Sequence, residues 1–396
     1  MRKIYIIKYF MILLFLFSCR TEIENTNRDA IGMENLIGIS LTQDERDTLL
    51  TGLLLNKNKY DTLRMLELTN DVPLPLYFNP LIEGESIPKG NDKYLFEEFP
   101  IKKPSKIEDC AFYTIGQLAY LIRTRQITSE ELTRMYIERL KEYGPQLECV
   151  ITVTEELGIK QARKADEEIK NGRYLGPLHG IPYGAKDLLA VSGYKTTWGA
   201  NTHKDQIINE TATVIKKLEN SGAVLIAKLT LGALAWGDIW YGGKTRNPWD
   251  IEKGSSGSSA GPGSATAAGL VAFSIGSETW GSIISPSSVN GVTGLRPSFG
   301  TISKSGAMAL SWSMDKLGPM CRSVDDCALV YNAIKGPDKI DHSVVDVPFQ
   351  VPNKKELTSL RVGYIKSAFE NEKTTLNDKN VLLIEPEIGD VMALKN

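Results

Sequence analysis

The sequence predicts an α/β protein: a central β-sheet covered by helices on both faces, with a helical extension ahead of it. Two observations carry this expectation. After two helix-type segments across 114–143, helix-type and strand-type segments alternate, an order that favours a sheet sandwiched by helices. The 396 residues, 42% hydrophobic and 24% charged, have an ordinary globular composition and enough length to bury a sizeable core.

Residues 1–19 stand apart. Arg2, Lys3 and Lys8 give a positive start and Tyr9 to Phe17 is an apolar run, the layout of an export signal. As a helix that run spans about 13 Å, well short of the roughly 30 Å of a bilayer's hydrocarbon, which argues against a permanent transmembrane helix. Leu16-Phe17-Ser18-Cys19 resembles a bacterial lipoprotein box, which implies lipid modification of Cys19 and anchoring in the cell envelope, facing the periplasm or exterior. An ordinary cleaved signal is the alternative.

Residues 20–109 read as an extension. Residues 41–69 have helical periodicity with an acidic first turn from Thr42 to Glu45. Asn70 to Pro104 is proline-rich, punctuated by Gly84 and Gly90, and reads as a linker. The main domain is expected over 110–396. Two helices are expected across 114–143, the second capped by Thr128 or Ser129, with Glu131 following and Gly144-Pro145 ending it. Further on, Lys160–Lys170 and Ala212–Ser221 read as helices, and Ile181–Ala185 and Ala223–Lys228 as strands. No repeat of solenoid length is present.

Charge and cysteine usage narrow the function classes. A formal net charge of −2 without a long basic block gives no surface for neutralising phosphates, so no nucleic-acid partner is expected. Cys110, Cys149, Cys321 and Cys327 do not form paired CxxC knuckles, and His179, His203 and His342 are scattered, so no metal is expected. Export would permit disulfides, but spacing does not pair these cysteines.

The most informative tract is Gly254 to Ser282. Serines crowd among small residues, an apolar strand-like run from Leu270 to Ile275 follows, and the chain turns again at Trp280-Gly281-Ser282. Alone, a Gly/Ser tract is most often a flexible linker. This one runs straight into ATAAGLVAFSIG, which has the small and apolar residues of closely packed elements. It lacks both the P-loop and the GxGxxG pattern, so a phosphate cradle is disfavoured. Serines in tight turns beside a buried strand suggest nucleophilic chemistry. With so few histidines, Lys186 in HGIPYGAKD is the candidate base.

GIPYGAKD, TTWGA, ATVIKKLENSGAVLIAKLT, NPWD and the serine block, in that order, resemble the amidase signature hydrolases over Thr114 to Asp326. The resemblance implies the amidase-signature fold, with a central mixed twisted sheet. It also implies a triad of Lys186 as base, Ser258 as bridging serine on a cis peptide after Gly257, and Ser282 as nucleophile. Ser258 lies 72 residues after Lys186 and 24 before Ser282. Ser255 and Ser256 are the neighbours most easily mistaken for Ser258. The backbone N–H groups of Thr279, Trp280, Gly281 and Ser282 are implied as the oxyanion hole. The expected chemistry is hydrolysis of a small-molecule carboxamide through an acyl-enzyme, with no cofactor.

Three residues depart from the family pattern: Trp280 stands for glycine, Ile284 for arginine and Glu278 for aspartate. The acid and arginine normally look like a supporting pair, so Glu278 needs another partner. Family members usually continue well beyond the 114 residues that follow Ser282, so either the chain is a shortened variant, with an exposed sheet edge expected, or the sequence is incomplete. Trp236, Trp240, Tyr241 and Trp312 are read either as pocket walls or as core. The rivals to an active amidase are an inactive or truncated remnant, a binding lipoprotein with a Gly/Ser spacer, and the glutamine-hydrolysing component of a tRNA-dependent amidotransferase.

Overall fold

The computed structural model describes residues 27–66, 84, 86, 87, 92 and 99–349. The leader 1–19 with Cys19, most of the proline-rich linker and the C-terminal residues from 350 lie outside the described residues. The chain divides into two compact units, 1–72 and 73–396.

The first unit contains α1 (27–37) and α2 (Gln43–Arg64). Thr42 starts α2 through a reciprocal cap: its side chain accepts from the Glu45 N–H, and the Glu45 carboxylate accepts from the Thr42 N–H at 2.8 Å. Arg46 reaches back to Glu34 of α1 at 2.7 Å and ties the helices together.

In the second unit, α3 (Ile115–Arg123) and α4 (Ser129–Leu147) begin with the same device, Thr114 with Gln117 and Thr128 with Glu131. The expected stop at Gly144-Pro145 is corrected: α4 continues to Leu147 with Pro145 inside it and ends at the left-handed Glu148. A proline in the last turn forfeits only one hydrogen bond, and its fixed φ is helical, so burial of Leu147 carries the helix past it. The chain continues through β1 (Val150–Val153), α5 (Glu155–Lys170), β2 (Pro182–Lys186), α6 (Thr213–Asn220) and β3 (Val224–Leu229). Two small hairpins follow, β4 (Ile239–Trp240) with β5 (Gly243–Lys244), and β6 (Arg246–Asn247) with β7 (Asp250–Gly254). Then come α7 (Ala260–Ala267), β8 (Phe273–Glu278), α8 (Ile284–Asn290), β9 (Thr293–Gly294), β10 (Lys316–Cys321) and α9 (Val324–Ile334).

The sheet order is β1-β3-β2-β8-β10-β9. Its centre, β3-β2-β8, is parallel, and β1, β10 and β9 join antiparallel, so the sheet is mixed, as expected, in an α/β fold. β2 and β3 are buried along their whole length, as parallel strands covered on both faces are. Small residues allow the helices to approach: a Cβ on Gly158 of α5 would lie 3.1 Å from Ile226 of β3, and one on Gly276 of β8 would lie 2.8 Å from the Ser259 hydroxyl.

The strand expected at Leu270–Ile275 instead spans Phe273–Glu278. Two guanidiniums claim the carbonyls before it. Arg139 donates to Ala268 and Gly269 at 2.9 and 2.8 Å, and Arg322 donates to Val271 at 2.9 Å. Those groups finish the turn after α7, and ladder pairing starts at Phe273 opposite Tyr183.

Candidate active site

Lys186 is the last residue of β2 and is fully buried. Its Nζ lies 2.8 Å from Ser258 Oγ, 3.0 Å from Ser259 Oγ and 2.9 Å from Ser277 Oγ, with the Ser277 carbonyl at 3.4 Å. Burial drives its pKa well below the ordinary lysine value, against a weaker opposing pull from the carboxylates of Asp315 and Glu278. An uncharged amine has two N–H donors and one lone pair. Ser259 Oγ already donates to the Ser277 carbonyl at 3.0 Å, so it takes a lysine N–H as acceptor. With Ser277 taking the second N–H, the lone pair is left for the Ser258 hydroxyl.

The competing arrangement, an ion pair between Lys186 and Asp187, does not form. Asp187 lies 2.6 Å from Lys228 Nζ of β3, and both side chains are fully buried. Lys228 also donates to the Lys195 carbonyl at 2.9 Å and to Thr196 Oγ1 at 3.1 Å. Asp187 accepts from the Thr197 N–H at 2.7 Å and from its hydroxyl at 2.6 Å. The chain turns directly after Lys186, so Asp187 pairs with Lys228 and anchors the TTWGA segment, while Lys186 meets only hydroxyl and carbonyl groups.

Ser258 is 2% exposed and follows a cis Gly257–Ser258 peptide. Only glycine fits at 257, because a Cβ there would lie 1.8 Å from the Gly237 carbonyl oxygen. Ser255 and Ser256 are elsewhere: the Ser255 N–H donates to the Thr245 carbonyl at 2.9 Å, and Ser256 Oγ meets Ser285 Oγ at 2.8 Å. Ser282 is linked to this segment through its backbone and is not hydrogen-bonded to Lys186 or Ser258. Its carbonyl accepts from the Ser259 N–H at 3.1 Å, and among the described residues its hydroxyl makes no hydrogen bond. Lys186 and Ser258 are thus in direct contact, and the half-buried Ser282 is tied by its backbone to Ser259.

Ser282 closes the turn between β8 and α8. Among the described residues, the N–H groups of Thr279, Trp280 and Ser282 meet no acceptor, whereas that of Gly281 turns to the Glu278 carboxylate. Glu278 also accepts from the N–H groups of Ile283 at 2.8 Å and Ile284 at 3.0 Å. The partner it needs in place of an arginine at 284 is Arg296, with Nη1 at 3.5 Å. Thr279 Oγ1 donates to Asp315 at 2.5 Å, and Asp315 also accepts from the Leu310 and Ser311 N–H groups at 2.8 and 2.9 Å. Sequence reasoning missed Ser259, Ser277, Asp315 and Arg296. The one available signal was Ser277, a hydroxyl near the end of an otherwise buried strand.

Of the aromatic residues read as pocket or core, Trp240 is half-buried, stacked edge-on with Tyr241 at 4.9 Å and bonded through its indole N–H to the Glu148 carbonyl. Trp236 and Trp280 are 77% and 83% exposed, and Trp312 is half-buried. Cys110, Cys149, Cys321 and Cys327 are buried free thiols. His179 Nδ1 accepts from the Leu175 N–H at 3.1 Å, and its Nε2 lies 3.2 Å from the Glu168 carboxylate. No helix among the described residues is long and apolar enough to cross a membrane.

A parallel-centred sheet with a buried lysine-serine pair at its heart defines a class, and the chain belongs to the Amidase family, whose profile matches residues 131–383. Among curated proteins it is similar to the A component of the glutamyl-tRNA(Gln) amidotransferase of Caldanaerobacter subterraneus subsp. tengcongensis, 37% identical over 65% of this chain and 54% of that protein. The corresponding amidotransferase component of Moorella thermoacetica is 35% identical over 71% of this chain and 59% of its own length. Among solved structures it is similar to the peptide amidase of Stenotrophomonas maltophilia, with a TM-score of 0.58 and 34% identity over 61% of this chain and 51% of that one. The chain spans little more than half the length of the curated relatives it matches.

Proposed function

We infer that the protein hydrolyses a small-molecule carboxamide through an acyl-enzyme on Ser282. Ser282 Oγ attacks the amide carbon and passes its proton to Ser258 Oγ, which passes its own to the uncharged Lys186 Nζ. The oxygen of the attacked carbonyl becomes an oxyanion and takes hydrogen bonds from the N–H groups of Thr279, Trp280 and Ser282. As the C–N bond breaks, the proton returns along the same path to the departing amine or ammonia. Water then attacks the ester and releases the carboxylate. No step asks for a cofactor.

The observation that carries this reading is the fully buried Lys186, which touches Ser258 and has no carboxylate partner among the described residues. A lysine kept only for structure would be expected to pair with a carboxylate, as Lys228 does. The test is covalent labelling by a fluorophosphonate together with turnover of a panel of peptide, aryl and fatty-acyl amides. Ser282→Ala is expected to abolish labelling and to lower turnover by at least about 10⁴-fold. A folded wild-type protein that neither labels nor hydrolyses any amide would establish the inactive-remnant reading instead.

A second reading, supply of ammonia from glutamine, is favoured by the identity to amidotransferase components. Glutamine in the same panel separates the two: turnover of glutamine alone supports the second, and turnover of other amides the first.

We also propose that the protein is exported and lipid-anchored at Cys19, supported by the charge and apolar pattern of residues 1–19. Cys19→Ala is expected to move the protein out of the membrane fraction of cell lysates. An unchanged distribution would rule out the anchor.

A further inference from the structure

The turn that carries Ser282 is held from behind by a carboxylate. Glu278 is 2% exposed, and its Oε2 gathers the N–H groups of Ile283 and Ile284, the two residues directly after Ser282, at 2.8 and 3.0 Å. The carboxylate therefore bridges the end of β8 to the start of α8 and fixes the path of residues 279–282 between them. A buried carboxylate needs compensation to stay ionised. Its other oxygen, Oε1, faces Arg296 Nη1 at 3.5 Å. Arg296 is placed by β10: the neighbouring Leu295 N–H donates to the Pro319 carbonyl at 3.0 Å, and a Cβ on Gly318 would lie 2.1 Å from the Leu295 carbonyl oxygen. Position 284, directly over the turn, holds isoleucine and supplies no cation.

We propose that Arg296 and Glu278 form a positioning pair, in which the arginine holds the Glu278 carboxylate in the place where it clamps the backbone after Ser282 and sets the oxyanion turn. This rests on the amidase reading of the same site. Neither side chain is a catalytic residue, because both act through the 279–282 backbone.

The charges around the site give the pair a second signature. Glu278 and Asp315 are the carboxylates that raise the basicity of Lys186, and Lys316, opposite Glu278 on β10, is the further cation beside them, donating to the Thr279 carbonyl at 3.2 Å. Removing the Glu278 charge makes Lys186 harder to protonate. Removing Arg296 leaves that charge less compensated and makes Lys186 easier to protonate.

The experiment measures the rate of fluorophosphonate labelling of the full chain from pH 5 to 10, separating reagent affinity from the bond-forming step, with melting temperatures alongside. Arg296→Met is expected to slow the bond-forming step about tenfold, less than outright loss of an oxyanion donor, with affinity unchanged. Its acid limb should shift to higher pH, and Arg296→Lys should recover most of the rate. Glu278→Gln keeps an acceptor for the two N–H groups but loses the charge, so its acid limb should shift to lower pH. Wild-type rate and pH profile in Arg296→Met would overturn the proposal. So would a loss that tracks melting temperature and is not recovered by lysine. If Glu278→Gln does not fold, the two Arg296 variants decide alone. A wild-type protein that does not label at all overturns the amidase reading and this proposal together, whereas labelling indifferent to Arg296 overturns this proposal only.

Discussion

Lys186→Met is expected to lower fluorophosphonate labelling and amide turnover by about 10²- to 10⁴-fold, the range for loss of a general base, while leaving the fold intact. The reason is that the amine is wanted for its lone pair and is costly to the fold. Burial sets its folded-state pKa well below the unfolded value, so between those two values the folded chain binds fewer protons than the unfolded chain. Stability from this group therefore rises with pH across that interval and is lost as pH falls towards the folded pKa. Methionine has no proton to exclude, so the variant should gain on wild type in melting temperature as pH is lowered from 10 to 6. Catalysis has the same sign, since only the unprotonated amine accepts from Ser258 and activity should fall on the acid side. A variant that melts below wild type by a constant amount at every pH would show that the lysine serves packing alone.

Lys228→Met, one strand over, should do the opposite. It leaves Asp187 fully buried without its cation, and breaking a buried pair from one side costs about 3–5 kcal/mol. Urea unfolding should show that loss. Asp187→Asn combined with Lys228→Met should recover much of it, because neither residue is then a stranded charge. A single-variant loss below about 1 kcal/mol would mean that the Asp187–Thr197 contacts, rather than the ion pair, hold the TTWGA segment.

The contrast between these two lysines also shows what could be read in advance. That adjacent Lys186 and Asp187 point apart is local and could be expected from the sequence, whereas Lys228 meets Asp187 through the β2–β3 register, in which it pairs with Ala185. The helix caps at Thr42, Thr114 and Thr128 are equally local, each a threonine with Glu or Gln three residues on. The stop at Pro145 misled because a proline signal does not say how much of the next turn is buried. The start of β8 depended on Arg139 and Arg322, which come from α4 and from the segment after β10. Ser277 and Arg296 join the site only through pairings of β8 with β2 and β10, and no local pattern reports a pairing. The Lys186–Ser258 contact, across 72 residues, came from motif order rather than from any periodicity.

The position of β2 has a kinetic consequence. It lies between β3 and β8, and the hydroxyls around Lys186 come from segments 72 to 91 residues later in the chain. Contacts of such long sequence separation are reached late and slowly during folding. Until β8 docks, Lys186 is a hydrated cation with ordinary basicity, unable to deprotonate anything at neutral pH. On the proposed mechanism a nascent or half-assembled chain would be chemically silent, and Ser282 should become reactive only as the sheet's centre closes.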